Sequence, residues 1–328
     1  MKSTHKSEVV KVELKPHPNA DSLSLVSIFG YQVVVNTKMW EGIDKGVYLV
    51  PDSVVDVRGP EFSFLADPKK PEDFLKRIKV IKLRNAVSMG LLIPAPADSN
   101  IGDDLAEFYG ITRYEPEFQG STGGDCVAGP SFTFSPSKYD IDSFHRYLDL
   151  FEEGELVNVT EKIHGANARF SYMDGQQYCG SRTQWKKESK SDIWWRAYYN
   201  TPGIKAFCEN NEGLILWGEV YGQVQNLKYG LKDVDFVAFD VFDVLAGRFL
   251  NVVEFENITS TFEVPRVPII AQYWPLDKKA VLELAEGQSL IADHVREGCV
   301  IKPMEERWTE EVGRLALKIV GNGYYALK

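Results

Sequence analysis

Thr160-Glu161-Lys162-Ile163-His164-Gly165-Ala166-Asn167-Ala168 closes an apolar, β-rich run and sets a lysine two residues ahead of a His-Gly pair. The preceding Leu156-Val157-Asn158-Val159-Thr160 alternates apolar and polar residues, the pattern of a half-buried strand. Gly165 then permits the close turn that a nucleotide phosphate would need. Lys162 reads as a covalent nucleophile. With an unperturbed pKa near ~10.4, only about one lysine in ~2500 is neutral at pH 7. Such a lysine therefore needs burial, neighbouring cations or a metal to shed its proton. By itself the pattern equally describes an exposed lysine before a turn, and the weight comes from an ordered set of stretches on its C-terminal side.

Those stretches are Ser181-Arg182-Thr183, Trp217-Gly218-Glu219-Val220-Tyr221-Gly222, Phe236-Val237-Ala238-Phe239-Asp240-Val241-Phe242, Glu297-Gly298-Cys299-Val300-Ile301-Lys302-Pro303 and Leu315-Ala316-Leu317-Lys318-Ile319-Val320. Together with the lysine stretch they resemble motifs I, Ia, III, IIIa, IV and V of the covalent nucleotidyltransferases, the polynucleotide ligases and RNA capping enzymes. The wording is similar to that of ATP-dependent RNA ligases, whose motif I carries His where DNA ligases and capping enzymes usually have Asp. Those two families also continue beyond motif V into a C-terminal OB domain, whereas this sequence stops ten residues after Lys318.

The resemblance implies a reaction and a set of roles. Lys162 would attack the α-phosphorus of ATP to give lysyl-AMP, pass AMP to an RNA 5′-phosphate, and let a 3′-hydroxyl displace it. Glu161, His164, Gly165, Asn167, Arg182 and Phe239 would form the nucleotide site. Phe239 would stack on adenine, and Asn167 and Arg182 would also touch the RNA ends. For His164 two readings stay open, ordering phosphates or filling a turn. Phosphoryl transfer spreads negative charge that cations must offset, so Mg²⁺ or Mn²⁺ is expected beside Glu219 and Glu297, with Lys318 and Lys302 cradling the α-phosphate. Motif V departs from the usual pair of lysines, since Ala316 stands two residues before Lys318. Lys302 or Arg314 is the candidate to replace the missing cation. The alternatives are another nucleotidyltransferase, either a DNA ligase or a GTP-using capping enzyme, and a non-catalytic RNA-binding relative.

Residues 8 to about 110 read as short strands, Val9 to Leu14, Leu23 to Ile28, Tyr31 to Asn36, Gly46 to Val50 and Lys79 to Pro94, separated by Gly and Pro. That pattern predicts a small barrel. His17-Pro18-Asn19-Ala20-Asp21-Ser22-Leu23 and Leu83-Arg84-Asn85-Ala86-Val87-Ser88-Met89-Gly90-Leu91-Leu92 resemble the OB-type module of tRNA-binding domains, with Asn85 where a Gly is usual. A similar module begins one RNA ligase family.

The overall expectation is an α+β chain. An OB-like RNA-binding barrel over 1–118 leads through a flexible Gly/Ser-rich linker over 119–138 to a nucleotidyltransferase domain of antiparallel sheets and flanking helices over 139–328. Helices are expected at 140–150, 191–209 and 277–285, with Trp194, Trp195 and Tyr198 packing on a sheet rather than stacking on bases.

Composition bounds the partners. Asp and Glu number 47 against 37 Lys and Arg, a net charge of −10, so any RNA surface must be a local patch. The acid-free run Lys76-Arg77-Ile78-Lys79-Val80-Ile81-Lys82-Leu83-Arg84 is one candidate, its lysines facing out from an alternating strand. Lys186 and Lys187 form another beside the nucleotide site. The expected partner is a nicked RNA duplex or RNA/DNA hybrid with 3′-hydroxyl and 5′-phosphate ends. Cys126, Cys179, Cys208 and Cys299 are far apart, which argues for packed thiols rather than a zinc site or disulfides. With no membrane-length apolar run or signal segment, a soluble, intracellular monomer is expected.

Overall fold

In the computed structural model, residues 5–114, 125–130 and 139–327 are described. The chain forms two compact units, Met1–Glu117 and Phe118–Lys328. No helix among the described residues is long and apolar enough to cross a membrane.

The first unit is built on Lys45–Leu49, which pairs antiparallel with Ser7–Lys11 on one side and Leu91–Pro94 on the other. Both its faces are covered. Val47 and Leu49 point into a cluster with Val9, Val55 and Ile93, while Tyr48 points into a second cluster with Val26, Val33 and Trp40. Lys15–His17, Ala20–Ile28 and Tyr31–Asn36 form a meander, and Ser53–Asp56 lies between Leu75–Arg77 and Thr112–Arg113.

The single strand expected over 79–94 is three: Ile81–Leu83, Ala86–Ser88 and Leu91–Pro94. Arg84 and Asn85 hold φ of +47° and +70°, the tight hairpin geometry that Asn tolerates, and Gly90 at φ +93° packs where a Cβ would meet Leu49 O at 2.3 Å. The two phrases that suggested the OB-type module meet here. His17 Nε2 lies 3.2 Å from Leu83 O, and Asn19 Nδ2 donates to Arg84 O at 3.2 Å.

The second unit holds two antiparallel-rich sheets. The larger runs in the order Cys126–Val127, Trp185–Lys186, Gln176–Ser181, Ala166–Met173, Leu214–Gly222, Val234–Asp243 and Arg248–Phe249. The smaller runs Asp142–Ser143, Leu317–Val320, Gly298–Pro303, Leu156–Glu161 and Ile269–Pro275, with its first pairing parallel. The expected linker lies mostly outside the described residues. Where it is described it is structured, since Cys126–Val127 is an edge strand and Gly129 passes Trp185 where a Cβ would lie 2.4 Å from the ring.

One helix was expected over 191–209, and Thr201-Pro202 divides it into Ile193–Asn200 and Pro202–Asn210. Asp192 caps the first by accepting Trp194 N and Trp195 N, and Trp194, Trp195 and Tyr198 pack on the sheet against Phe170, Leu216 and Phe236. The expected 140–150 and 277–285 helices shrink to Phe144–Tyr147 and Ala280–Leu284. Val252–Thr261 is a helix that pattern reading passed over, although Asn251 and Glu254 spell its capping box.

The two sheets are joined by a buried charge network. An extra residue in Val234–Asp243 shifts the register so that Trp217 faces Asp240 and Gly218 faces Ala238, leaving Phe239 as a bulge. Asp240 Oδ1 accepts from Lys302 Nζ at 2.7 Å and from Arg314 Nη2 at 2.7 Å, while its other oxygen accepts from Arg314 Nη1 at 2.8 Å and from Tyr139 OH. Glu306 balances the second cation, accepting from Arg314 Nε at 2.7 Å. Burial alone would raise the Asp240 carboxyl, but Arg314 and Lys302 hold it down at about 2. Since an aspartate in the unfolded chain titrates near ~3.9, the stability Asp240 contributes is present above pH ~4 and lost as pH falls toward ~2.

Asp240→Asn leaves two buried cations under-compensated, and urea denaturation near neutral pH should show a loss of about 3–5 kcal/mol. The gap to wild type should narrow between pH ~4 and ~2. A gap that persists undiminished to the acid end would assign the loss to packing instead of charge.

Candidate active site

Lys162 follows directly on the strand Leu156–Glu161, and Glu297 directly precedes Gly298–Pro303, the antiparallel neighbour. Lys162 N donates to Gly298 O at 3.0 Å, and across the same junction Lys162 Nζ donates to Glu297 Oε1 at 2.9 Å. Gly298 is required there. Its φ is +156°, and a Cβ would fall 1.9 Å from Ile319 O.

His164 completes the pair. Its Nδ1 lies 3.3 Å from Glu297 Oε2 and 3.1 Å from Tyr324 OH, its Nε2 lies 2.8 Å from Asn226 Oδ1, and its backbone N donates to Tyr229 OH at 2.8 Å. Of the two readings left open for His164, the one in which it merely fills a turn does not describe these contacts. Asn226, Tyr229 and Tyr324 were not anticipated. They come from a loop and a short terminal helix with no motif spacing, and only the fold brings them to the histidine.

Glu219 lies on the cleft face of the larger sheet, opposite Asn167. Gly165 makes the close approach possible, since a Cβ there would sit 2.2 Å from Val220 O and 3.0 Å from Glu219 Cγ. The two acids diverge sharply. Burial pushes the Glu219 carboxyl up to about 8, with Lys162 opposing and Glu297 adding to the rise. Burial would raise Glu297 as well, but the Lys162 ammonium and the His164 hydrogen bond outweigh it and hold that carboxyl at about 2. For Lys162 burial favours the neutral amine, yet Glu297 and Glu219 prevail and its pKa is raised. The resting lysine is an ammonium.

Alternation and register set the other groups. Asn158, Thr160 and Lys162 share one face of their strand, and Val300 and Lys318 extend that row through the pairs Thr160↔Val300 and Val300↔Lys318. Lys318 is thus on the face that carries Lys162. Lys302 is on it too, but its ammonium is held by Asp240 and by Phe239 O at 2.8 Å. Arg314 is held by the same carboxylate and by Glu306, so both cations named as stand-ins for the second motif V lysine are already engaged by acids.

Phe239 is half-buried, its ring 4.9 Å from that of Tyr139, beside a small pocket that Asn158, Thr160, Asp240 and Lys302 also line. Arg182 lies 3.9 Å from Asp140. Glu161 is buried, with Oε2 accepting from Leu290 N at 2.7 Å and Oε1 without a partner among the described residues.

The candidate RNA cations separate. Lys186 is buried, its ammonium 2.9 Å from Gln184 Oε1 and over the Trp194 ring, so it is no surface contact, and Lys187 pairs with Asp125 at 3.4 Å. Arg77 is tied to Asp52 and stacked on Tyr114, and Lys76 lies 3.6 Å from Asp73. Lys79, Lys82 and Arg84 are exposed, carried past the end of the 75–77 strand into the hairpin. Ile81 is exposed with them, because the run is not one strand facing a barrel. Among the cysteines Cys179, Cys208 and Cys299 are packed, whereas Cys126 is exposed on its edge strand.

Comparison with known proteins agrees with this layout. Residues 155–320 match the RNA ligase family model, and residues 7–95 match an OB-fold domain model. No curated protein matches. Solved structures of the Naegleria gruberi RNA ligase share the fold over nearly the whole of both chains. A mutant with AMP and Mn has TM-score 0.82, 24% identity and 99% coverage of each chain. A mutant with ATP and Mn has TM-score 0.80, 23% identity and 98% coverage of each chain, and a form with PPi has TM-score 0.81, 24% identity and the same coverage. With an OB-fold module ahead of a lysine, two acids and a histidine gathered at one sheet junction, the chain belongs to the RNA ligase family.

Proposed function

We propose that the protein is an ATP-dependent RNA ligase that seals nicks in duplex RNA or RNA/DNA hybrid, joining a 3′-hydroxyl to a 5′-phosphate through lysyl-AMP. The observation that carries this reading is the placement of Lys162 between two acids of opposite titration, Glu297 ionised and in contact, Glu219 raised toward neutrality. Such a pair of displaced carboxyls is how a site divides its roles.

In the first step Lys162, once its ammonium proton has passed to solvent, forms a P–N bond from Nζ to the α-phosphorus as the bond to the bridging oxygen breaks and pyrophosphate leaves. The RNA 5′-phosphate then takes AMP from the lysine, and the 3′-hydroxyl finally displaces AMP to close the phosphodiester. Structures of the Naegleria gruberi ligase with ATP, with AMP and with PPi hold the nucleotide, the nucleotidyl group and the leaving group that such a first step involves. Glu161 supports adenine over guanine. A fixed carboxylate oxygen without a partner complements the exocyclic amino group of adenine, and would oppose the carbonyl that guanine carries there.

Glu219 and Glu297 fit a divalent cation. A buried carboxyl held near neutrality gains from a cation, and among the described residues no third His, Cys, Asp or Glu joins to make a closed cage. That donor set suits Mg²⁺ or Mn²⁺, which keep waters and phosphate oxygens. Bound there, the ion would offset charge on the α-phosphate and remove the bias of both carboxylates toward the ammonium form of Lys162. Lys318 faces the same cleft as an α-phosphate contact.

Lys162→Ala should abolish label on the denatured chain after incubation with α-labelled ATP, and the wild type should take label from ATP and not from GTP. Adenylate surviving on the variant would place the nucleophile elsewhere. Glu219→Ala and Glu297→Ala should each slow adenylylation at least ~100-fold, about 2.7 kcal/mol of transition-state stabilisation, with near wild-type rates refuting their place at the metal.

RNA affinity is assigned to the exposed Lys79, Lys82 and Arg84. Reversing all of them to Glu should weaken nicked-duplex binding and make the log–log salt dependence shallower by about 0.7–0.9 per lost phosphate contact, while lysyl-AMP forms normally. An unchanged salt slope would remove this hairpin from the RNA interface.

A further inference from the structure

One row across the larger sheet runs Val127, Trp185, Gly180, Arg169, Trp217, Asp240, each residue directly paired with the next. It lies one step along the strands from the Asn167–Glu219 pair. Gly180 has no side chain, and a Cβ would lie 2.2 Å from Gln184 O, so Trp185 leans over it onto the next strand. The Arg169 guanidinium carbon consequently sits 4.0 Å from the Trp185 ring centre and 5.7 Å from that of Trp217.

Four other cations near this cleft have acids: Lys162 has Glu297, Lys302 and Arg314 share Asp240, and Arg182 has Asp140. Among the described residues no carboxylate pairs with Arg169. Its Nε is buried without an acceptor, and so is Trp217 Nε1 on the residue directly opposite. Burial pulls the guanidinium down to about 10, which leaves it charged at neutral pH. A buried charge is costly without a counter-charge, and a guanidinium fork braced flat on an indole is preorganised for planar two-point binding of an oxyanion. No step of lysyl-AMP formation assigned to Lys162, Glu219, Glu297 or Lys318 makes use of this residue.

We propose that Arg169, braced by Trp185 and Trp217, is a further substrate-positioning residue that grips a phosphate oxyanion entering the cleft beside Asn167 and Glu219. The proposal rests on the ligase reading and extends it. Two substrates bring that chemistry, the triphosphate of ATP and the phosphates at the RNA nick, and two assays separate them.

The variants are Arg169→Leu, which keeps an apolar body between the rings, and Arg169→Lys, which keeps charge without the fork. One assay titrates ATP in lysyl-AMP formation. The other follows sealing of a nicked duplex whose 5′ end is already adenylylated, so that ATP is not needed. Arg169→Leu should hold its thermal midpoint and lose about tenfold or more, as a raised KM, in one assay, with Arg169→Lys in between. Loss with ATP assigns the triphosphate, and loss in sealing assigns RNA.

Wild-type behaviour in both assays, or a fall in kcat at unchanged KM, overturns the proposal. If Arg169→Leu does not fold, Arg169→Lys decides by the same criteria. Should wild type take no label from ATP, the ligase reading fails on its own. Arg169 is then judged by pyrophosphate, whose thermal stabilisation of wild type must vanish in the variant for the proposal to stand and overturns it if equal in both.

Discussion

The contact between Lys162 and Glu297 is the constraint around which the second unit is arranged. It needs two adjacent antiparallel strands to meet at their ends, and they do so because Gly298 lets a third strand press its Ile319 carbonyl into space a side chain would fill. The pair then fixes everything around it. His164 is drawn onto the second oxygen of Glu297, Tyr324 and Asn226 onto His164, and Glu219 is left as the acid without a contacting cation. An ion pair taken out of water is a poor source of stability, since desolvation offsets most of the attraction. Its retention at this junction is better understood as a resting state that a cation and a phosphate can displace.

The same physics distinguishes the cations of the cleft. Lys302 and Arg314 are held by Asp240 in a buried network that ties one sheet to the other. Lys162 is also paired, but at a site where a second acid is held near neutrality. Charge count alone does not separate these cases. Both facing acids have further partners, Asp240 in Tyr139 and Glu297 in His164, and what separates the cases is the second acid beside Lys162, Glu219, whose carboxyl burial pushes up to about 8.

Much of the site could be read in advance because covalent chemistry leaves local marks. A lysine at a strand end ahead of His-Gly marked Lys162 as a candidate, and the resemblance of the ordered stretches to family motifs added His164, Glu219 and Glu297, which the fold brings to one junction. The barrel-like first unit was legible from its punctuated strands, and even its altered turn was visible as Asn85. Surface assignments transferred less well. Lys186 is two residues from Gln184 and one from Lys187, yet it faces inward under Trp194, because the strand Trp185–Lys186 presents alternate residues to opposite faces and a helix covers one of them. The 76–84 run looked like one cationic strand and is divided between two, Leu75–Arg77 pairing back to Ser53–Asp56 and Ile81–Leu83 pairing forward to Ala86–Ser88.

What the sequence by itself determined, then, was the order of the motif-like stretches, the candidates Lys162, Glu219 and Glu297 within them, and a strand-rich first part followed by a helix-flanked second. Each depends on residues within a few positions of one another, where backbone periodicity and side-chain chemistry act directly. Which cations are paired, what His164 touches and that no carboxylate among the described residues pairs with Arg169 were decided only by the tertiary structure. Those properties rest on groups separated by tens of residues or more: Arg314 from Asp240, Tyr324 from His164, Trp217 from Arg169. Burial changes the value of a charge only once the fold has chosen its neighbours.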